Sequence, residues 1–166
     1  MLYSKILQTP LGDMFALADE NFLLMLDFVD GKYCVKNRNF FGKNNINLSN
    51  NIIDLLEKEL LLYFNKKLTH FSVPVKFFGT EFQQKVWKSL QQIPYGQTIS
   101  YRQQSENLMI PQAVRAVAAA NSHNKISIVV PCHRVVGTNG NLVGYAGGTE
   151  RKKYLIDLEC SILVVF

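Results

Sequence analysis

Ile126-Ser127-Ile128-Val129-Val130-Pro131-Cys132-His133-Arg134-Val135 is the stretch on which the reading of this chain turns. The apolar run reads as a buried, strand-like segment, and the Pro-Cys-His corner that ends it presents a thiol at the lip of a core. Thiol chemistry needs the thiolate, and a free cysteine at neutral pH is ionised to only about a few per cent. A neighbouring imidazole takes the proton when a third group fixes its ring and tautomer. Taken alone, the pair is equally compatible with a buried structural cysteine beside a surface histidine.

Upstream of this corner the pattern is helical. Thr80-x-x-Gln83 has the form of a capping box and opens a helix with Phe82, Val86, Leu90 and Ile93 at helical spacing and Trp87 beside them. Pro94-Tyr95-Gly96 stops it, and Ser100-x-x-Gln103 caps a second, short helix. Pro111 fits the first position of a third, which runs through Ala113, Val114, Arg115 and Ala116 to Ala120. Two helices on a short link, the second alanine-rich with an arginine near its start, suggest helix-turn-helix geometry. A plain helical hairpin has the same local pattern.

The first half reads differently, and the chain divides near residue 75. Residues 2–8, 14–18 and 22–28 read as short strands between turns at Thr9-Pro10-Leu11-Gly12 and Asp19-Glu20-Asn21, with a further turn at Asp30-Gly31-Lys32. Residues 37–51 are rich in Asn, Lys and Gly and read as a surface loop. Ser49 then caps a helix with Ile52, Ile53, Leu55, Leu56, Leu60 and Phe64 on one face. The expectation is an α/β (α+β) chain: a small sheet-plus-helix domain over 1–75, supporting a helical domain over 76–166.

Composition narrows the classes. The chain is 48% hydrophobic and 19% charged, which fits a packed globule rather than disorder. Three scattered cysteines, Cys34, Cys132 and Cys160, make no disulfide framework and fit a reduced, cytoplasmic protein. No apolar run reaches membrane-spanning length, and the start has no signal-peptide layout. Of the net +5, residues 1–75 contribute nothing, with eight basic and eight acidic residues; residues 76–166 hold ten basic and five acidic. A basic excess confined to one domain points to a polyanion partner there.

Together with the Pro-Cys-His-Arg-Val corner, Gly79-Thr80-Glu81-Phe82-Gln83, Val86-Trp87, Ile93-Pro94-Tyr95-Gly96, Ser100-Tyr101, Pro111-x-Ala113-x-Arg115-Ala116-Val117, Asn121, Asn124, Gly144-Tyr145-x-Gly147-Gly148 and Glu159 form an ordered series. This series resembles the O6-alkylguanine-DNA alkyltransferases, the methylated-DNA–protein-cysteine methyltransferases. The match is strong over 79–159 and weaker in the first half, through Thr9-Pro10-Leu11-Gly12 and Leu26-Asp27-Phe28. The resemblance implies a ribonuclease-H-like first domain and a second domain with a winged helix-turn-helix-like DNA-binding element. It implies repair of O6-alkylguanine in duplex DNA by irreversible, single-turnover transfer of the alkyl group to Cys132. His133 would act as base through a water, Glu159 would orient His133, the Tyr101 hydroxyl would donate to the guanine, and Asn124 would act as a hinge. Arg115 would replace the flipped nucleotide, with Ala113, Val114, Tyr101 and Arg134 also at the DNA. Val135, Tyr145, Ala146 and Gly147 would line the base pocket. No cofactor and no metal are implied; the DNA is bound from the minor groove without sequence preference, by a monomer, away from membranes.

Several positions depart from the pattern. Gln104 and Ser105 stand where apolar residues and alanine are common, Met109 and Ala118 replace frequent glycines, Lys125 a frequent proline, and Ala146 a frequent serine. Cys34, His70 and His123 do not reproduce a tetrahedral zinc set. The rival reading is a lesion-binding protein without transfer activity, whose family relatives lack the cysteine that this chain has. The apolar tail 160–166 is expected to support the core if it packs there, so that cutting after Glu159 lowers thermal stability.

Overall fold

The structure, a computed structural model, describes residues 1–160; the tail beyond Cys160 lies outside the described residues. The chain separates into two compact units, residues 1–78 with 125–127, and residues 79–124 with the chain from Ile128 onward.

In the first unit, β1 (Tyr3–Thr9), β2 (Gly12–Ala18) and β3 (Leu23–Phe28) form an antiparallel sheet in that order. The first reversal is tied by the Thr9 hydroxyl, which donates to Gly12 O at 2.6 Å and accepts from Leu11 N–H, while Gly12 takes the positive φ of 113° that a side chain resists. At the second, the Asp19 carboxylate accepts from the N–H groups of Asn21 and Phe22. Phe15, Leu17 and Met25 pack with Cys34, with Leu2 and Phe41 against them. Every residue of β3 is buried. Its outer edge is covered by backbone bonds with residues 74–76 and 125–127, and apart from Asp27 the strand is apolar.

Two local expectations for this unit need correction. Within the expected loop 37–51, residues up to Phe41 belong to helix α1 (Cys34–Phe41). Its composition is poor for a helix, but Asn37 donates to the buried Asp27 carboxylate and Cys34 enters the core, so tertiary contacts override local preference. Helix α2 (Asn51–Phe64) is capped by Asn50, whose side chain accepts from Ile53 N–H, rather than by Ser49, which donates to Asp54.

The second unit opens with α3 (Glu81–Leu90), whose capping box is complete: Thr80 Oγ1 accepts from Gln83 N–H and the Gln83 side chain from Thr80 N–H. The helix ends at Leu90, ahead of Pro94-Tyr95-Gly96, where Gly96 turns the chain with φ 78°. Strand β4 (Ile99–Ser100) leads into α4 (Tyr101–Asn107), capped by Ser100. Pro111 begins a 3-10 turn over Pro111–Ala113 rather than the helix itself, and α5 follows as Val114–Ser122. Val86, Val117 and Ala120 form a core with Leu108 and Ile110, and the Trp87 indole N–H donates to Ala120 O at 2.8 Å. Helices α4 and α5 are also locked by a buried amide pair. Gln104 Nε2 donates to Asn121 Oδ1 and Asn121 Nδ2 to Gln104 Oε1, so the polar residue at an expected apolar position is satisfied.

The run 126–130 is not a strand. Ile126 makes one parallel bridge to Leu26, after which Ile128 adopts φ 70° and the chain turns. Burial of Ile126, Ile128 and Val130 accounts for the apolar run without ladder pairing. A 3-10 turn, Cys132–Arg134, leads into β5 (Val135–Val136), which pairs in parallel with β4, and α6 (Thr149–Cys160) closes the unit.

Met109 explains why glycine is frequent at its position. It sits at φ 63° with its side chain 84% exposed, so it bears left-handed strain with little packing in return. Met109→Gly is expected to raise unfolding stability by about 0.5–1 kcal/mol, since relief of strain exceeds the added chain entropy. Urea titration checks this; a lower midpoint would refute it.

Candidate active site

Cys132 and His133 are placed by the 3-10 turn, and both are buried. Asn124, just past the end of α5, holds this corner: its Nδ2 donates to Val130 O at 2.8 Å and to Cys132 Sγ at 3.3 Å. A single amide thus ties the end of the α5 segment to the sulfur.

His133 is fully buried, and its Nε2 lies 2.7 Å from Glu159 Oε1. A carboxylate only accepts, so Nε2 carries the proton and a neutral ring leaves Nδ1 as an acceptor. Nδ1 has no partner among the protein atoms. Burial is the largest influence on the His133 pKa and lowers it; with the charges of Arg134 and Lys152 it outweighs the Glu159 hydrogen bond and charge, which raise it. Burial pushes the Glu159 carboxyl up, but hydrogen bonds and charges from His133 and Arg134 outweigh it and hold the pKa at about 2. The pair therefore rests as neutral imidazole and carboxylate.

Arg134 is the counter-charge. Its Nε donates to Glu159 Oε2 at 2.9 Å, Nη2 to Oε1 at 3.0 Å and Nη1 to Ile93 O at 2.7 Å. This corrects the expectation that Arg134 touches DNA: it is 8% exposed and its guanidinium is committed inward. Gly96 N–H, from the Pro-Tyr-Gly turn, also points to Glu159 Oε2 at 3.4 Å.

Tyr101, at the start of α4, is buried, and its hydroxyl donates to Val143 O at 2.7 Å. Lys152 Nζ, on α6, donates to the same hydroxyl at 3.2 Å and to Val143 O at 2.9 Å. Burial, with the Cys132 charge behind it, pushes Tyr101 up to about 12. Burial pulls Lys152 down to about 8, against the Cys132 charge that raises it. Lys152 has no exposed surface, and sequence reasoning missed it. The signal was its spacing: Lys152, Leu155 and Glu159 fall at i, i+3 and i+7, on one buried helix face.

Of the other expected residues, Val135 and Tyr145 are buried, and Ala146 and Gly147 are half-buried in the loop before α6. Arg115 is exposed in the first turn of α5, with Ala113 and Val114 half-buried beside it. Among the described residues no group of three or more His, Cys, Asp or Glu is placed to hold a metal, and no helix is long and apolar enough to cross a membrane.

Helices α4 and α5 on a short link, with a buried thiol, imidazole and carboxylate in the same unit, define a helix-turn-helix-like protein with a cysteine site. Comparison with known proteins narrows the class. The family model "6-O-methylguanine DNA methyltransferase, ribonuclease-like domain" matches residues 1–77, and "6-O-methylguanine DNA methyltransferase, DNA binding domain" matches residues 81–161. A methylated-DNA–protein-cysteine methyltransferase of Methanosarcina acetivorans is 38% identical, over 96% of this chain and 99% of its own. One from Mycobacterium leprae is also 38% identical, over 96% of this chain and 93% of its own. The crystal structure of Mycobacterium tuberculosis OGT in complex with DNA superposes with a TM-score of 0.85 at 36% identity, covering 96% of this chain and 93% of that one. The chain belongs to the 6-O-methylguanine DNA methyltransferase family.

The charge arrangement sets an acid limit to stability. The Glu159 carboxyl, depressed from 4.5 to about 2, contributes stability that is complete above about pH 4.5 and lost as pH falls through about 2. The contribution is about 3 kcal/mol. Glu159→Gln leaves Arg134 buried without its counter-charge, at a cost of about 3–5 kcal/mol near neutrality. Urea unfolding from pH 7 to 2 should therefore show the two proteins converging in acid; a constant gap would refute this origin.

Proposed function

We propose that the protein repairs O6-alkylguanine in duplex DNA by moving the alkyl group to its own Cys132. The observation that carries this reading is the order of groups at the sulfur. Asn124 holds Sγ, His133 stands next to it with Nδ1 open as a proton acceptor, and Glu159 fixes the ring through Nε2. Adjacent side chains seldom face each other, so the proton passes from the thiol through a bridging water to Nδ1. The thiolate then attacks the alkyl carbon, an S–C bond forms, and the C–O6 bond breaks with its electron pair moving onto the guanine. The product thioether has no leaving group, so the acceptor is spent and the reaction is single-turnover.

Negative charge that grows on the leaving base calls for donors. Tyr101 fits that role once its hydroxyl exchanges Val143 O for the base, and Lys152, bound to the same hydroxyl, favours that charge. The target atom is out of reach inside a duplex, so the nucleotide is flipped out, at about a few kcal/mol of lost stacking and pairing. Exposed Arg115 on α5 suits the vacated place, and half-buried Ala113 and Val114 let the helix approach the minor groove. Damage falls at any sequence, so binding without base preference is expected. The protein is taken to act as a monomer in the cytoplasm, with residues 1–75 as support.

Intact-mass spectrometry after mixing with duplex DNA bearing one O6-methylguanine is expected to show one added methyl group, absent from Cys132→Ala. No gain, with retained binding to the damaged duplex, would move the reading to a lesion-binding protein. Arg115→Ala should slow transfer from duplex by about tenfold or more, the effect of losing the group that fills the flipped-out space.

Lys152 gives a pH signature. Its charge is present below about pH 8 and lost above it. Single-turnover transfer rates should fall above that pH, while Lys152→Met should be slower at neutrality and lack the decline. A wild-type rate that climbs steadily through pH 9 would exclude a part for this charge.

A further inference from the structure

Residues 1–75 are neutral by composition, yet their charges are segregated. From Gly31 to Ile53 the sequence carries Lys32, Lys36, Arg38 and Lys43 and no Asp or Glu. Helix α1 places Lys36 and Phe40 four residues apart on one face, both exposed, and Phe40 leaves 60% of its surface in solvent. Phe40 belongs to a small aromatic cluster. Its ring centroid lies 5.0 Å from Phe41 and 6.4 Å from Phe78, and Phe41 and Phe78 are 5.4 Å apart, all edge-to-face. Lysines surround it. Lys125 Nζ lies 5.2 Å from the Phe40 centroid and donates to Phe78 O at 2.9 Å, while Lys76 Nζ lies 5.3 Å from the Phe78 centroid. Lys36 and Lys76 are exposed and have no ion-pair partner among the described residues. Burial, with the charge of Lys36 nearby, lowers the Lys125 pKa.

We propose that this face is a second nucleic-acid contact, in the ribonuclease-like domain, that takes a single-stranded segment: its phosphates lie along Lys36, Lys76 and Lys125, and an unstacked base rests on Phe40. Charge complementarity selects a polyanion, and the exposed aromatic ring selects one whose bases are free to stack. A duplex would offer phosphates to the lysines but leave Phe40 without a partner. The proposal is independent of alkyl transfer, because it concerns neither Cys132 nor α5.

Binding of a fluorescent oligodeoxythymidylate, followed by anisotropy against salt, tests it with Phe40→Ala and with Lys36→Gln/Lys76→Gln, both surface changes. Phe40→Ala is expected to weaken binding by about fivefold or more, the effect of one lost base–aromatic stack. The double lysine variant is expected to flatten the slope of log affinity against log salt by about 1.4, or about 0.7 for each charge removed. A 5-bromodeoxyuridine oligonucleotide should crosslink to the peptide that holds Phe40. Unchanged affinity and slope in the variants, or crosslinks confined to 79–124, would overturn the proposal. Methyl transfer measured by mass on the same variants should be unchanged at saturating substrate, so failure of this proposal and failure of the transfer reading are seen separately.

Discussion

The buried carboxylate of Glu159 is the group on which the site depends. It receives His133 on one oxygen, Arg134 on both, and the Gly96 N–H on the second. A lone carboxylate in that position would protonate or unfold the site, because a buried charge without partners costs several kcal/mol. Arg134 prevents this and sets the state of the imidazole as well. The Glu159 charge favours a proton on the ring, and an imidazolium cannot act as a base. With burial, Arg134 and Lys152 all opposing that proton, the ring stays neutral and Nδ1 keeps its lone pair. The arginine that motif reading assigned to the DNA instead bonds Glu159 and helps hold the imidazole neutral.

Helix α6 delivers both polar ends of the site. Lys152 and Glu159 lie two turns apart on the face that also carries Leu155, so the helix places a cation by Tyr101 and an anion by His133. Each buried charge has partners: carbonyl and hydroxyl oxygens for Lys152, the guanidinium and imidazole for Glu159. Such a face is a poor stabiliser compared with an apolar one of the same shape. Ile128, a β-branched residue at φ 70° four residues before Cys132, carries a cost too. Strain of this kind persists where the surroundings over-determine the chain, here between the sheet-edge bridge of Ile126 and the Asn124 bond to Val130.

What the sequence made legible follows from where local signals were strong. The capping box at Thr80, the cap at Ser100 and the turn at Thr9-Pro10-Leu11-Gly12 are short-range devices, and their residues suffice to place them. The Cys132–His133–Glu159 set was legible through the family motif, and the structure joins His133 to Glu159. Arg134 and Lys152 were misread or missed because a charged residue in a sequence defaults to solvent, and only a buried partner reverses that. Helix α1 was missed because its Asn and Lys residues argue against a helix, while Asp27, which receives Asn37, lies ten residues away. The run 126–130 misled for a different reason: burial and strand pairing both produce apolar residues, and only the left-handed Ile128 separates them.

The Tyr101 hydroxyl ties these elements to the act of binding. In this structure its proton goes to Val143 O, from the loop that precedes α6, and Lys152 bonds both atoms. Gly144 follows with φ 74°, and a Cβ there would come within 3.1 Å of that hydroxyl, so the backbone approaches the tyrosine as only glycine allows. In the proposed role, a base that accepted the Tyr101 proton would replace a carbonyl that already accepts it. Exchange of one hydrogen bond for another costs little net energy, whereas a buried hydroxyl held open without a partner would cost about 1–3 kcal/mol. In the proposed role, Lys152 would stay bonded to the tyrosine oxygen through the exchange and set its cation near the charge of the leaving base. The arrangement keeps the Tyr101 hydroxyl and the Lys152 ammonium satisfied and, in the proposed role, would free the Tyr101 proton for an arriving base.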